Sequence, residues 1–407
     1  MRDRVLGLPL FMLLLASCSE PFSGDLNDGL PLDSSVKPGL LDSETPEEKS
    51  APKGMVWIPA GAYLRGGDES EKGGHSASHQ SAYPVHEVHV DAFWIDETEV
   101  TNRQFAEFVE ATGYVTLAER PLPESERREL ENDTRRSLAR LQLLANNASG
   151  EDRVALLASI EELREASMQI PFFGALVFSI PRDELAEPND LSQWWRWESQ
   201  ANWRSPGGPG SNLEGLEDHP VVNVTHEDAA AYAAWVGKRL PTEAEWEKAA
   251  RGGLTRQPYV WGSDLLPQDQ EVWMANIWQG EWPHDNTEAD GYFTTAPVKS
   301  FPPNGYGLYE IAGNVWEIVS DWYHPRAYLL PSATETNTSG PPLSAFAETQ
   351  ELGVYRVTKG GSFLCSEIWC KGYQPGSRDQ IDDQSPANHT GFRCAMDSED
   401  SSRIPDP

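Results

Sequence analysis

The chain has 407 residues, enough for one large domain or two ordinary ones. Asp and Glu number 64 against 32 Lys and Arg, a formal charge of −32, and a surface so acidic repels phosphate backbones and disfavours a nucleic-acid role. Hydrophobic residues at 39% exclude wholesale disorder, and four cysteines are too few for a disulfide-built scaffold.

Arg2 and Arg4 precede an apolar run from Val5 to Ala16, too short to span a bilayer but suited to a secretory signal. It ends in Leu15-Ala16-Ser17-Cys18, which resembles the bacterial lipobox. Residues 1–18 therefore read as a lipoprotein signal peptide with Cys18 as the lipidated residue. The mature chain is then expected outside the cytoplasm, held to a bacterial membrane by its acyl chains alone. Residues 19–53 are polar, acidic and rich in Pro, Ser and Gly, the composition of a disordered tether.

The folded part is expected over residues 54–396, opening with a strand and turn at Met55–Gly61. His86–Ile95 reads as another strand. Thr101 is placed to cap a helix that turns Phe105, Phe108 and Val109 inward. Between about 121 and 171, Leu130, Leu138, Leu141 and Leu144, then Leu157, Ile160 and Leu163, recur at helical spacing. Asn146–Gly150 separates these runs, so an inserted helical hairpin is the simplest account. Thr225 and Thr242 start two further capped helices, the second with a Thr-Glu-Ala-Glu capping box. Short strands and turns follow from Tyr259 to Ala395, and residues 397–407 form an acidic tail.

The densest chemistry is Lys359-Gly360-Gly361-Ser362-Phe363-Leu364-Cys365, with Cys370 five residues further on. As half of a zinc site the two thiols lack partner ligands elsewhere. They suit either a disulfide closing a small loop or a two-thiolate site for a soft ion such as Cu(I), and composition does not separate these. The glycines predict a tight turn bringing backbone and a hydroxyl near the sulfurs.

This segment resembles the catalytic loop of the formylglycine-generating enzyme (sulfatase-modifying factor) family. Further motifs of that family follow in order: MVWIPAG, DETEVTNRQF, ANWRSPGGP, DHPVVNV, KRLPTEAEWEKAARGG, ANIWQGEWP, FPPNGYGLYEIAGNVWE, RVTKGGSFLC and GFRCA. Only the 121–171 insert and the two ends fall outside them. The resemblance implies an α+β, C-type-lectin-like fold with little regular structure. It implies a copper-dependent oxidase that uses dioxygen and a thiol reductant to convert a cysteine of a sulfatase-type protein to Cα-formylglycine. Cys365 and Cys370 would bind Cu(I), and the substrate thiolate would add a third sulfur. Ser362, Trp316 and Arg378 match active-site positions. Asn276, Ile277, Asp290 and Tyr292 match one structural Ca2+ site; Glu310, Gly313, Val315 and Glu317 match a second.

Several positions depart from the family pattern. Ala233 and Ala250 stand where animal members carry cysteines, which leaves Cys394 as a buried free thiol. Glu310 stands where relatives often carry asparagine, Ile318 replaces a frequent tryptophan, and His389 falls near where an asparagine is expected. By the resemblance these changes lie close to the substrate groove, and with the anchor they suit a second reading, a non-catalytic membrane-anchored binding or assembly module; the retained Ser362, Cys365 and Cys370 favour the oxidase.

Overall fold

The computed structural model describes residues 51–67, 81–167, 172–180, 194–267, 272–342 and 355–398. The expected signal segment, Cys18 and nearly all of the tether and tail lie outside these described residues.

Four strands open the domain: β1 (Met55–Ile58), β2 (Gly61–Arg65), β3 (His86–Val90) and β4 (Phe93–Asp96). The stretch read as one strand over His86–Ile95 is two, because its halves join different sheets. β3 pairs with β2, whereas β4 lies between β1 and the C-terminal β11 (Ala395–Asp397). Asn337 ties down the break, its side-chain oxygen accepting the Asp91 amide at 2.7 Å.

Helix α1 (Asn102–Thr112) begins at Thr101 through a complete capping box, and Phe105, Phe108 and Val109 are buried as the spacing predicts. Helices α2 (Glu124–Asn147) and α3 (Gly150–Ser167) pack on each other through Leu141, Ala145 and Ile160. An isolated bridge between Pro121 and Phe172 joins the feet of this excursion, so the chain leaves and re-enters the domain at one place. Strands β5 (Ala175–Phe178) and β6 (Trp195–Glu198) follow as an antiparallel pair. Helices α4 (His226–Trp235) and α5 (Glu243–Ala250) also start in full capping boxes, at Thr225 and Thr242.

A four-stranded sheet carries the C-terminal half: β7 (Trp316–Trp322), β8 (Tyr355–Lys359), β9 (Asp379–Asp382) and β10 (Thr390–Gly391), in the order β10-β7-β8-β9. Only β10 runs parallel to its neighbour, β7. The largest apolar cluster lies between this sheet, α5 and strands β1, β3 and β4, and it takes in Trp246, Trp316 and Cys365. A second holds α1 against α4 and includes Cys394. The result is a mixed helix-and-sheet fold in which loops occupy much of the chain.

Candidate active site

β8 delivers the chain into Gly360 and Gly361, both with positive φ (89° and 72°). The second cannot carry a side chain: a Cβ there would stand 2.5 Å from the Tyr373 nitrogen. This close approach lays the Gly-Gly-Ser turn against the segment that follows Cys370. Ser362 is fully buried, its Oγ accepting the Leu364 amide at 3.3 Å. Its carbonyl accepts the Cys365 amide at 2.9 Å, and the Cys365 carbonyl in turn accepts the Trp278 amide at 3.0 Å.

Cys365 and Cys370 are joined as a disulfide, one of the two pairings the spacing left open. Neither sulfur can act as a thiolate until that bond is reduced. Cys370 Sγ accepts the Gly372 amide at 3.3 Å, a contact that also favours a thiolate. Cys370 and Lys371 both hold left-handed backbone, with φ of 77° and 50°. Trp316, at the start of β7, is 5% exposed and lies in the same apolar cluster as Cys365. Its ring presses on Gly372 so closely that a Cβ there would come within 2.4 Å. The structure thus brings Ser362, Cys365, Cys370 and Trp316 together.

Arg378 lies apart from that contact set. Its guanidinium binds both Glu243 oxygens, at 2.7 and 3.0 Å, and the His324 carbonyl at 2.9 Å. Arg65 also pairs with Glu243 (2.7 Å), while Lys359 and Arg251 pair with Glu247 (3.2 and 2.7 Å), all of them buried. Burial alone would raise the Glu243 carboxyl, but Arg378, Arg65 and Lys359 outweigh it and hold it well below the usual carboxylate range. Arg378 therefore anchors the segment after the cysteine loop to α5.

Around Asn276 the oxygens are incompletely used. Asn276 Oδ1 is buried with no partner. The Asp290 carboxylate accepts the Ile277 and Tyr292 amides at 3.1 and 3.0 Å. Gln279 Nε2 bridges Asp290 (2.7 Å) and the Ile277 carbonyl. At the second set the carboxylates are better satisfied. Glu317 accepts two bonds from Arg393, both 2.8 Å, and one from Trp246 Nε1 at 2.7 Å. Glu310 accepts the Lys299 and Phe301 amides at 2.7 and 3.0 Å. Glu99, not singled out from sequence, is buried nearby, and burial followed by Glu310 pushes its carboxyl well up. Among the described residues no three His, Cys, Asp or Glu side chains converge as a metal cluster, so any ion here depends on carbonyl and amide oxygens as well.

Sequence reading also left unassigned an aromatic wall over the cysteine loop. Trp369, inside the loop, touches Trp194 (5.9 Å between ring centroids) and stacks on Trp282 (6.1 Å, 11°). Trp282 continues to Trp278 and Phe178 at 4.9 and 5.6 Å. The tryptophan density of residues 193–203 was the available signal. Two small cavities, beside Arg251 and Gln374 and beside Gly174 and Trp197, take no lining from the cysteine loop.

A loop-rich α+β domain that packs a sulfur pair, Cys365 buried and Cys370 partly so, against a tryptophan and a serine turn defines a class of sulfur-centred site. The chain belongs to the family of the sulfatase-modifying factor enzyme 1-like domain, whose model matches residues 42–398. It is 41% identical over 346 residues to the formylglycine-generating enzyme of Thermomonospora curvata, covering 85% of this chain and 94% of that one. It is 35% identical over 272 residues to the inactive C-alpha-formylglycine-generating enzyme 2 of Mus musculus, covering 67% and 70%. Among solved structures, PvdO from Pseudomonas aeruginosa superposes with a TM-score of 0.50 at 21% identity over 84% of this chain and 94% of that one, a likeness of fold.

Proposed function

We propose that this protein oxidises a cysteine of an extended or unfolded polypeptide, of sulfatase type, to Cα-formylglycine. The observation that carries this is the convergence of Ser362, Cys365, Cys370 and Trp316 in a chain more like the active relative than the inactive one. In balance, the substrate cysteine and a thiol reductant supply the electrons that dioxygen takes up. Sulfur leaves as hydrogen sulfide and an aldehyde oxygen replaces it.

The reduced Cys365–Cys370 pair is a sulfur-only donor set of the kind Cu(I) accepts, and these residues would hold it. Copper bound there would supply the one-electron chemistry with dioxygen that side chains lack. The Gly372 amide stabilises negative charge on Cys370. Trp316 and the tryptophan wall keep water from the sulfurs, and Ser362 fixes the turn that carries Cys365. Arg378 acts at one remove, by pinning the following segment to Glu243.

Asn276, Ile277, Asp290 and Tyr292 fit a structural Ca2+, because an orphaned amide oxygen stands beside a carboxylate and a carbonyl bridged by one amide group. Glu310, Gly313, Val315 and Glu317 would hold a second ion only alongside the bonds to Arg393 and the two amides. Glu99, buried close to Glu310, would add a carboxylate beside that set, and a cation there would favour its ionised form. We also propose lipidation at Cys18 and an extracytoplasmic, membrane-tethered location.

The test supplies the purified protein with Cu(I), dioxygen, a thiol reductant and a peptide bearing a C-x-P-x-R stretch, and reads aldehyde by hydrazide capture and mass. Aldehyde that appears only with copper is the expected result. Its absence from a fully reduced, copper-loaded protein would leave the non-catalytic module standing.

A further inference from the structure

Trp278 is 3% exposed, and its indole Nε1 reaches no acceptor; Trp282 Nε1 and His389 Nδ1 are likewise buried and unpartnered. A buried indole N–H ordinarily finds a partner, so three orphaned nitrogens in one patch call for an explanation. They do share a patch. Ring contacts run from Trp278 to Trp282 (4.9 Å), to Phe178 (5.6 Å), to Trp195 (6.0 Å) and to His389 (4.7 Å). The patch is bonded to the cysteine loop through the Trp278 amide and the Cys365 carbonyl.

We infer that Trp278 and Trp282 are substrate-positioning residues whose indole N–H groups donate to main-chain carbonyl oxygens of a polypeptide lying across the cysteine loop. This rests on the proposed function and deepens it. The donors are neutral and set among aromatic rings. An uncharged carbonyl loses little on entering such surroundings, whereas an anion would need a cation beside it. Burial pushes the His389 imidazole down to about 3, so it too is neutral at working pH. The nitrogens are shut off from solvent as well as from the protein, and Trp282 is covered by the stacked Trp369 ring. Binding at Trp282 therefore requires the Trp369 ring to move aside.

The test uses Trp278→Phe and Trp282→Phe, which keep a ring and remove the N–H. Two probes are used: the C-x-P-x-R peptide for aldehyde kinetics, and its fluorescent Cys→Ser analogue for binding by anisotropy. Each variant should raise KM and Kd by about five- to tenfold, the worth of one hydrogen bond, with kcat within about twofold. The thermal midpoint of the free protein should hold or rise, because an unpaired buried donor has gone. An ester-for-amide scan of the peptide on the unmutated protein should find a position with the same loss, and that loss should vanish in the matching variant. Unchanged Kd in both variants, an insensitive ester scan, or no binding by the unmutated protein overturns the inference. If the variants weaken binding but no aldehyde ever forms, the oxidase assignment fails alone; if aldehyde forms with unchanged KM, the positioning role fails alone.

Discussion

At the cysteine loop a left-handed backbone is carried by residues other than glycine. Cys370 and Lys371 each hold a conformation that costs on the order of 1–3 kcal/mol for a residue with a Cβ. It persists because the Ser366 amide bonds the Trp369 carbonyl at 2.8 Å and Gly361 meets Tyr373 backbone to backbone. The three described cysteines differ in consequence. Cys394 is fully buried, and burial, with Asp96 beside it, pushes its thiol well up, so it is inert. Cys365→Ser should therefore abolish aldehyde formation in the copper-supplied peptide assay, while Cys394→Ser retains most of it. Equal loss in both variants would show that the assay reports folding rather than sulfur chemistry. Gly361→Ala should also inactivate, by forcing a methyl group into the Tyr373 backbone.

At the scale of elements, local signals were legible and distant partners were not. Thr101, Thr225 and Thr242 announced their helices because a cap is written within four residues. The leucine runs announced α2 and α3 for the same reason. His86–Ile95 misled because nothing within those residues says that β3 and β4 join separate sheets. The Glu243 and Glu247 ion network was invisible and the tryptophan wall was signalled only by the tryptophan density of residues 193–203, since each joins residues far apart in the chain. The cysteine loop was recognisable from its own motif, but Gly361's contact with Tyr373 was not. The α2–α3 hairpin has its own small apolar seam and joins the domain at Pro121 and Phe172, so it should loosen independently. Leu141→Ala should destabilise it locally by about 2–5 kcal/mol, seen as faster amide exchange over residues 124–167. Peptide oxidation should be unchanged; a parallel loss of activity would tie the hairpin to the site. The loop holding Asn276 and Asp290 should depend on calcium instead. Chelation should lower the thermal midpoint, and added Ca2+ should restore it in the native protein but not in Asp290→Asn.

Across the whole molecule, buried charge decides how stability responds to pH. β2, α5, β8 and the segment after the cysteine loop meet at Arg65, Glu243, Glu247, Lys359 and Arg378. Against burial, Lys359, Arg251 and Arg65 hold Glu247 down at about 2, and Glu243 also lies below its ordinary range. Their contribution is complete above the unfolded carboxyl value, near 4.3, and is lost as pH falls towards the folded values. Asp321 works in the opposite direction. Burial, reinforced by Glu243, raises its carboxyl to about 7, although the Glu243 amide (2.8 Å) and the Ser320 hydroxyl (3.1 Å) donate to it. Its stabilisation is complete below the unfolded value and is lost as pH rises through 7. From these groups the fold should therefore be most stable at about pH 4 to 4.5, with stability declining as pH rises towards 7. Asp321→Asn keeps an acceptor for the Glu243 amide and removes the charge. At pH 8 it should raise stability by about 2 kcal/mol, less than the full linkage because Oδ1 has no partner and an amide there would be unsatisfied too. At pH 5 the two proteins should unfold at nearly the same denaturant concentration. A gain of equal size at both pH values would mean that Asp321 is ionised throughout, and that Arg65 rather than Glu243 governs its charge.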